Sequence, residues 1–299
     1  MDKKKVIFIV NPYAGIGHYK RIVRLLKKRL DLSKYDYEVM LTQYRGHGHV
    51  LATQIAENNQ ADIIVAVGGD GTVNEIARSM VGKDVILGFI PTGSGNGLAH
   101  HLRISSRISK AIQIINKGHS LRVDTLKINE HICISIAGIG FDGLIAELFD
   151  RSSRRGFFPY LHYVTKSYAL YKPQIYYIEE KGKEKEEHEA ILVSIANSSQ
   201  WGFNVKISPE ASMEDGCADI CLMKKPNFIM FPFSTTALLA GTLHKNKKAI
   251  RIYRLSECTI YTKDNIKQPC HIDGDPIERQ NKLTVKVLPR SLQIIIPEN

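Results

Sequence analysis

The sequence is poor in the residues that dominate fibrous, low-complexity and disordered chains. Its 299 residues include only 11 Pro and 22 Gly, whereas 43% are hydrophobic and 24% are charged. This composition excludes collagen-like and disordered chains, and it supplies enough apolar side chains for full hydrophobic cores. Because the chain exceeds one ordinary domain of ~100–150 residues, its length predicts two domains.

Cysteine is scarce and shows no pairing pattern. The five cysteines are scattered along the chain without a C-x-x-C pair, at Cys133, Cys217, Cys221, Cys258 and Cys270. An odd, scattered set favours neither a disulfide framework nor a zinc site. We therefore expect buried thiols in a reducing cytosol.

Long hydrophobic runs are also missing. The apolar run at the N-terminus covers only Val6–Val10, which is shorter than the ~7–15 residues of a signal-peptide core. Residues 226–243 are uncharged but contain two prolines and four hydroxyl side chains, and they reach only the lower length limit of a membrane span. We therefore expect a cytoplasmic protein in which this segment packs on the protein or touches a membrane surface.

Acidic residues are outnumbered by basic ones. Lys+Arg minus Asp+Glu is 41 − 30 = +11, which predicts an anionic partner such as nucleic acid, a phosphorylated small molecule or a membrane surface. Residues 224–256 contain seven basic residues and no acidic one, and apolar residues lie among them at 228–233. A solvated face is the default interpretation of such a run, and docking on anionic lipid is the alternative.

The pattern of hydrophobic residues changes near residue 125. Residues 1–125 alternate strand and helix patterns, which predicts a parallel sheet with right-handed crossovers. From residue 126 onward, short strand candidates follow one another with only three helical stretches between them. This second pattern predicts an antiparallel β-rich domain over 126–299. Its last strand is a candidate for return to the first domain.

A glycine-rich turn follows the apolar run 62–67. Gly68-Gly69-Asp70-Gly71-Thr72 opens a helix pattern, where backbone N–H groups point outward and the helix dipole favours anions. The glycines let a phosphate approach the backbone, and an aspartate within an anion site suggests Mg²⁺ or a proton to be abstracted. A tight turn with an aspartate helix cap is the structural alternative.

Two further glycine-rich turns follow the first and fourth predicted strands. They are Asn11-Pro12-Tyr13-Ala14-Gly15 and the stretch 91–97. The carboxyl ends of parallel strands share one edge of the sheet, where open α/β sheets bind ligands. Three such turns at one edge predict a phosphate site. Because the patterns GxxxxGK[ST] and, after the first strand, GxGxxG are absent, this site is neither a P-loop nor a Rossmann dinucleotide site.

These motifs resemble the signatures of the diacylglycerol kinase catalytic-domain superfamily, which includes bacterial lipid kinases and sphingosine and ceramide kinases. The matching stretches are Asn11-Pro12-x-x-Gly15, Gly68–Glu75, Pro91-x-Gly93-Ser94-x-Asn96, and His271-Ile272-Asp273-Gly274-Asp275 followed by Leu283-Thr284-Val285. The resemblance covers almost the whole chain. It implies an α/β nucleotide-binding domain over 1–125, an antiparallel β-sandwich-like lipid-substrate domain over 126–299, and an active-site cleft between them.

The resemblance also implies roles for individual residues. Asp273 is the candidate general base by analogy with bacterial members, whereas sphingosine kinases suggest Asp70. Asp215 resembles a position that holds structural Mg²⁺ in some bacterial members, and Asp124 is a candidate for a Mg²⁺–water network. Asp142 is a candidate for contact with the substrate head group, with a helix N-cap as the alternative. The nucleotide-binding candidates are Asn11, Thr42, Gly68, Gly69, Asp70, Gly71, Thr72, Val73, Asn74, Glu75, Gly93, Ser94 and Asp275.

Together these patterns predict an ATP-dependent, Mg²⁺-requiring lipid kinase that phosphorylates a lipid hydroxyl, such as that of diacylglycerol or a sphingoid base. An NAD or other small-molecule kinase that shares the GGDGT loop, and a non-catalytic lipid or nucleotide sensor, are the alternatives. The chain departs from the family pattern at two positions. Many bacterial members carry Asp where this chain has Gly97, and Glu is usual where it has Asp275. Because of these departures, the resemblance does not identify the lipid that is phosphorylated. We expect transient contact with the inner membrane face and no nucleic-acid partner, and a homodimer is one expected assembly.

Overall fold

The computed structural model describes residues 3–14, 19–152, 156–203, 205–226 and 231–298. Gly15 of the first glycine-rich turn, and 227–230 of the segment with an expected lipid contact, lie outside the described residues. The chain divides into two compact units, of which the first comprises 1–123 and 290–299 and the second comprises 124–289.

The first unit is built on a parallel sheet. Its strands are β1 (Lys4–Val10), β2 (Tyr35–Leu41), β3 (Ile63–Gly68) and β4 (Ile86–Pro91). They lie in the order β2-β1-β3-β4. The C-terminal end of the long strand β18 (Lys282–Ile295) pairs in parallel with β4 at Ile294 and Leu87. The chain that follows residue 289 therefore completes the sheet of the first unit.

Within the described part of the first unit, five helices accompany this sheet. They are α1 (Tyr19–Arg29), α2 (His47–Glu57), α3 (Asp70–Met80), α4 (Gly97–His101) and α5 (Ile108–Lys117). Helix α1 shows why the pattern folds this way, because Ile22 and Leu26 are four residues apart and bury one helical face while basic residues occupy the other. Strand β3 is buried at all six positions, as expected for a parallel strand covered on both faces.

Among the described residues, the second unit contains two large antiparallel sheets and one short antiparallel pair. The strands are β5 (Ser120–Ile128), β6 (His131–Cys133), β7 (Ile136–Gly140), β8 (Gln174–Glu179), β9 (Glu186–Ala190), β10 (Leu192–Ala196), β11 (Gln200–Gly202), β12 (Val205–Lys206), β13 (Ala218–Met223), β14 (Ile250–Leu255), β15 (Glu257–Thr262), β16 (Gln268–Ile272) and β17 (Asp275–Gln280). The first large sheet has the order β14-β13-β10-β7-β16-β17, and in the second β9, β8, β15 and the N-terminal part of β18 are neighbours. The short pair is β11 and β12.

One hydrophobic core joins the two antiparallel sheets. Side chains from β7, β10, β13 and β16 pack in a single cluster with side chains from β8, β15 and β18, including the fully buried Tyr176. Facing sheets that share one core form a sandwich. The predicted fold class, an α/β domain followed by an antiparallel β-sandwich-like domain, is therefore confirmed.

Among the residues that the structure describes, three helices cover part of the second unit. They are α6 (Phe141–Asp150), α7 (Phe157–Tyr168) and α8 (Phe231–Leu239). Phe141 of α6 packs edge-on against Tyr168 and Tyr171, with ring centroids 6.2 and 5.4 Å apart, and this arrangement is favourable for aromatic pairs. Among the described residues, no helix has the length and apolar content that a bilayer crossing requires.

Candidate functional site

In chain order, the glycine-rich turns at 11–15, 68–72 and 91–97 are the first, second and third turns. The described part of the first turn and the second turn meet where the strand order of the sheet reverses. From β1 the chain continues to β2 on one side of the sheet, and β3 lies on the other side. At the carboxyl ends of β1 and β3, the backbone N–H of Asn11 donates to the carbonyl of Val67 at 2.9 Å. The Asn11 side chain donates to Thr72 Oγ1 at 3.1 Å. This is the position at which open α/β sheets bind nucleotides.

The third turn packs directly on the second. A Cβ atom at Gly69 would lie 3.3 Å from the Cα of Gly93, and a Cβ at Gly93 would lie 2.7 Å from the Cα of Gly69. The sequence predicted these glycines from the approach of a phosphate, but contact between the two loops is already enough to require Gly93 and leaves little space at Gly69. Gly68 is restricted in the same way by the side chain of Thr72.

Gly71 differs from its neighbouring glycines. It lies in the first turn of α3 and is exposed, and a Cβ built on it would meet nothing within 4 Å. The fold therefore leaves open space beside the N-terminus of a helix, where unpaired N–H groups and the helix dipole favour a bound anion. These features fit a phosphate group of a nucleotide.

Asp70 links the second turn to the third. Its Oδ2 accepts the N–H of Asn96 at 2.7 Å, and its Oδ1 accepts the N–H of Gly97 at 2.8 Å. Burial raises the pKa of Asp70, while these two backbone hydrogen bonds act in the opposite direction. The carboxylate is therefore built into the contact between the loops, with one oxygen on each amide.

The other predicted nucleotide-binding residues of the first unit occupy different environments. Val73 and Asn74 are buried, whereas Ser94 is exposed. Thr42 follows β2, and its N–H donates to the carbonyl of Val10 at 2.9 Å. Glu75 accepts the N–H of Gly46, the residue before α2, at 3.0 Å. Thr42 thus lies beside the β1 turn, and Glu75 connects α3 to the start of α2.

In the second unit, Asp273 and Gly274 form the two-residue turn between β16 and β17. Both residues have positive φ, 53° and 86°, and Ile272 pairs with Asp275 across the turn. This is the type I′ geometry for which Asp-Gly is a preferred sequence. Asp275, predicted to bind nucleotide, is therefore the first residue of β17 and is half-buried.

The Asp273 carboxylate points at a backbone segment between β6 and β7. Oδ1 accepts the N–H of Ser135 at 2.7 Å and that of Ile136 at 3.3 Å, and Oδ2 accepts the N–H of Ile134 at 3.0 Å. The Sγ of Cys133 lies 3.3 Å from Oδ1. The amide groups therefore fix the orientation of the predicted general base.

The two predicted metal ligands, Asp124 and Asp215, meet at one loop. Asp124 is buried, and its Oδ2 accepts the N–H of Gly216 at 2.8 Å. Asp215 accepts the N–H of Cys217 at 3.1 Å and lies 3.8 Å from Arg254 Nε. Within the part of the chain that the structure describes, no group of three or more His, Cys, Asp or Glu side chains could hold a metal ion. These side chains alone do not form a Mg²⁺ cage.

Asp142 forms a buried pair with His271. The two side chains are 6% and 5% exposed, and Asp142 Oδ2 lies 3.4 Å from His271 Nε2. His271 Nδ1 accepts the N–H of Gly274 at 3.2 Å, which leaves Nε2 on the side of Asp142. Among the described residues, the buried Oδ2 of Asp142 has no hydrogen-bond partner. Asp142 is not the N-cap of α6, because Gly140 holds that position. The alternative N-cap interpretation of Asp142 was therefore wrong.

Glycines make room for this carboxylate. A Cβ atom at Gly138 would collide with the Asp142 carboxylate, and one at Gly143 would collide with the backbone of Pro269. Burial, and then the charge of Asp142, raise the pKa values of Tyr160 and Tyr171. The site thus places one carboxylate among aromatic rings and close backbone.

An apolar cavity of about 100 Å³ opens beside Asp142. Its lining comes mainly from α6, α7 and α8 and is almost entirely hydrophobic, with Phe141, Tyr160, Leu161, Trp201 and Leu238 among the residues that form it. An apolar cavity with a single carboxylate at its wall is suited to a hydrophobic molecule that carries one polar group.

Sequence reasoning missed three groups in these sites. The N–H groups of Asn96 and Gly97, which hold Asp70, were not assigned, although the two glycine-rich turns were predicted to share one sheet edge. His271 was quoted only as part of a motif and was given no role. Its pairing with Asp142 joins positions 129 residues apart in the chain, and no local pattern reports such a contact.

Comparison with known proteins relates both units to one group of enzymes. The profile described as "Diacylglycerol kinase catalytic domain" matches residues 5–128. The profile described as "YegS C-terminal NAD kinase beta sandwich-like domain" matches residues 135–296. The chain is similar to a diacylglycerol kinase of Bacillus subtilis (strain 168), with 29% identity over 88% of this chain and 84% of that one.

Two further proteins extend the similarity. A diacylglycerol kinase of Staphylococcus carnosus (strain TM300) is 26% identical over 91% of this chain and 89% of its own. A solved diacylglycerol kinase from Bacillus anthracis str. Sterne has a TM-score of 0.74 and 21% identity, and the match covers 99% of this chain and 98% of that chain. With both profiles matched in order, this chain belongs to the diacylglycerol kinase catalytic-domain superfamily and is a kinase.

Proposed function

We propose that the protein transfers the γ-phosphoryl group of ATP to a hydroxyl group of a lipid. In this reaction the bond between the γ-phosphorus and the bridging oxygen of ATP breaks, and a bond from that phosphorus to the lipid oxygen forms. The products are ADP and a phosphorylated lipid, and the hydroxyl proton passes to a carboxylate. Such a base is needed because an alcohol is a poor nucleophile at neutral pH.

The observation that carries the lipid assignment is the apolar cavity of the second unit. A nucleoside or sugar acceptor would require several polar partners, whereas this cavity offers mainly hydrophobic walls and the carboxylate of Asp142. We propose that Asp142, oriented by His271, accepts a hydrogen bond from the polar head of the lipid. At about 100 Å³, the cavity admits only part of an acyl chain, so α7 and α8 must separate to take in more.

The nucleotide phosphates are proposed to bind at the N-terminus of α3. The open space beside Gly71 and the exposed first turn of this helix support the assignment. Asn11 and Thr72, which are hydrogen-bonded to each other, would flank the phosphates at the same edge of the sheet. Mg²⁺ is proposed to arrive with the triphosphate, because this ion usually binds through substrate phosphates and one or two carboxylates.

Asp273 is the proposed general base. The proposal is supported by the family motif that contains it and by the amides of 134–136, which hold its carboxylate in one orientation. A base that is fixed before the substrate arrives loses little freedom in the transition state. Asp70 is the alternative base, and its two oxygens are likewise held by backbone amides, those of Asn96 and Gly97. The substitutions Asp273→Asn and Asp70→Asn separate the two assignments.

The experiment that tests this function is a phosphorylation assay with labelled ATP and a panel of acceptors. The panel contains diacylglycerol, a sphingoid base, ceramide, phosphatidylglycerol and NAD, and products are separated by chromatography. We expect label in one of the lipids and none in NAD. Label in NAD alone would replace the lipid kinase with a small-molecule kinase, and binding without turnover would indicate a sensor.

A further inference from the structure

A short loop, residues 42–46, joins β2 to α2 at the edge of the sheet where the glycine-rich turns lie. Strand β1 pairs with β2 in parallel, with Val10 opposite Leu41, and the N–H of Thr42 donates to the carbonyl of Val10 at 2.9 Å. Because β1 continues directly into the first glycine-rich turn, the β2–α2 loop leaves the sheet beside that turn. It therefore borders the site that is proposed for the nucleotide phosphates.

Hydrogen bonds at both ends of the β2–α2 loop fix its conformation. The Nδ1 atom of His47 accepts the N–H of Gln43 at 3.0 Å, and Glu75 Oε1 accepts the N–H of Gly46 at 3.0 Å. Gly46 has a φ of 88°, a left-handed conformation that glycine adopts without strain. Glu75 lies on α3 only four residues, or ~6 Å, after Gly71. The loop is therefore tied to the same helix whose N-terminus is proposed to bind phosphate.

Tyr44 presents an aromatic ring on this fixed loop. Its ring is stacked on the imidazole of His47, with centroids 4.6 Å apart and planes inclined by only 12°. The residue is nevertheless 59% exposed, so His47 covers one face of the ring and most of the remaining ring surface is in contact with solvent. A single exposed tyrosine is ordinary on a protein surface. Tyr44 differs because a second ring, itself held by a backbone N–H, sets the plane of its side chain.

An aromatic face that is fixed beside a phosphate site is suited to a nucleobase. Every base has a π-face that stacks on an aromatic side chain, whichever polar groups its edge carries. We propose that the base of the phosphate donor stacks on Tyr44, on the ring face opposite His47, while the triphosphate extends to the N-terminus of α3. This proposal rests on the proposed kinase function and adds the residue that binds the base. Tyr13 in the first turn is 83% exposed and is the rival site for the base.

Calorimetric titration with the Mg²⁺ complexes of ATP, GTP and tripolyphosphate tests this assignment, because tripolyphosphate lacks a base. We expect Tyr44→Ala to weaken the binding of ATP and of GTP by about five- to 150-fold, the usual effect of losing one base–aromatic stack. Its affinity for tripolyphosphate should equal that of the wild type. Tyr44→Phe keeps the ring and should bind ATP like the wild type. Phe158→Ala, which removes an 81% exposed ring of the second unit, is the matched control and should change none of the three affinities.

Three results would overturn the assignment of the base to Tyr44. One is an unchanged ATP affinity in Tyr44→Ala, and another is an equal loss for ATP and tripolyphosphate, which would show that the substitution disturbs the phosphate site and not a base. The third is a larger loss of ATP affinity in Tyr13→Ala than in Tyr44→Ala, which would place the base on the first turn. Each of these leaves the proposed kinase function intact. A wild-type protein that binds neither ATP nor tripolyphosphate would instead remove the phosphate site, and the proposed function would fail with it.

Discussion

Asp70 is the residue at which two loops of the first unit are joined. Its carboxylate oxygens lie 2.7 and 2.8 Å from the N–H groups of Asn96 and Gly97. An aspartate inside an anion site was expected to serve a metal ion or a proton transfer, and the structure adds a third role in which the carboxylate holds the loop backbone. Its substitution therefore changes the shape of the site as well as its charge.

The stability contribution of Asp70 should depend on pH in a defined direction. Burial raises the pKa of folded Asp70 above the 3.8 of an unperturbed side chain, so the folded protein binds this proton more tightly than the unfolded chain does. The contribution is therefore fully present below pH 3.8, and it is lost as the pH rises through the folded pKa. Because asparagine does not titrate, the free energy of unfolding of wild type minus that of Asp70→Asn should fall across this window.

Urea unfolding of both proteins over a series of pH values, without nucleotide, measures that difference. A difference that stays constant, or that grows with pH, would contradict the assigned direction of the shift.

The Asp273→Asn variant distinguishes the structural role of Asp273 in the turn at 273–274 from its proposed role as the general base. Asn-Gly is as suitable as Asp-Gly for a type I′ turn, so the hairpin of β16 and β17 should persist. The new amide group would face backbone N–H donors of 134–136, and a loss of about 1–3 kcal/mol in the free energy of unfolding is expected from this mismatch. If Asp273 is the base, kcat should also fall by ~10²–10⁴-fold, with little change in ATP affinity.

The pH–rate profile decides between the base and a purely structural role for Asp273. Loss of a general base removes the acidic limb of the profile, whereas structural damage lowers the rate equally at every pH. A variant that keeps the wild-type rate, while Asp70→Asn loses turnover and retains ATP binding, would reverse the two assignments.

Helix α3 offers a cleaner test of phosphate binding than the glycines beside it. Gly71 has open space around its missing side chain, so Gly71→Ala should raise the free energy of unfolding without ligand by about 0.4–1 kcal/mol, as a favourable glycine-to-alanine change in a helix does. The added methyl group would occupy the space proposed for a phosphate. The increase in Tm caused by ATP should therefore shrink, although the protein itself is more stable.

Gly93→Ala provides the contrast, because its Cβ would lie 2.7 Å from the Cα of Gly69. This variant should lose stability even without nucleotide, whereas Gly71→Ala should not. An unchanged ATP-induced Tm shift in Gly71→Ala would remove the phosphate from this part of α3.

Apolar runs predicted the strands of the first unit well, and polar strands of the second unit escaped detection. The run Val6–Val10 lies within β1, which the structure extends by Lys4 and Lys5. In contrast, β9 has the sequence EEHEA, which lacks the apolar residues that indicate a strand. Only its last residue is buried, and it is a strand because it pairs with β8. Such a strand forms because it pairs with a neighbouring strand, and its own hydrophobic pattern does not reveal it.

At the scale of the whole molecule, the sequence predicted the class of each unit and the positions of its loops, because strand–helix alternation and strand succession are local patterns. It could not predict that β18 is a single strand of 14 residues, since a proline, which lacks the N–H group that a strand donates, lies in its middle. Nor could it predict the pairing of Asp142 with His271, which depends on β7 and β16 being neighbours in the sheet.

The five cysteines, which all belong to the second unit, test the description of its packing. None forms a disulfide, and all but Cys217 are buried. Burial raises the pKa of the Cys258 and Cys270 thiols to about 12, and the half-buried Cys217 also has a raised pKa, through burial and then through the charge of Asp215. Since the thiolate is the reactive form, a chromogenic disulfide reagent at neutral pH should label Cys217 slowly and the other four only after unfolding.

In urea the same reagent should titrate all five thiols, and a reducing agent should leave the Tm of the native protein unchanged. Rapid labelling of two or more thiols in the native protein would show that the interior of the second unit is open to the reagent. A Tm that falls on reduction would instead reveal a disulfide that the arrangement of these five residues does not contain.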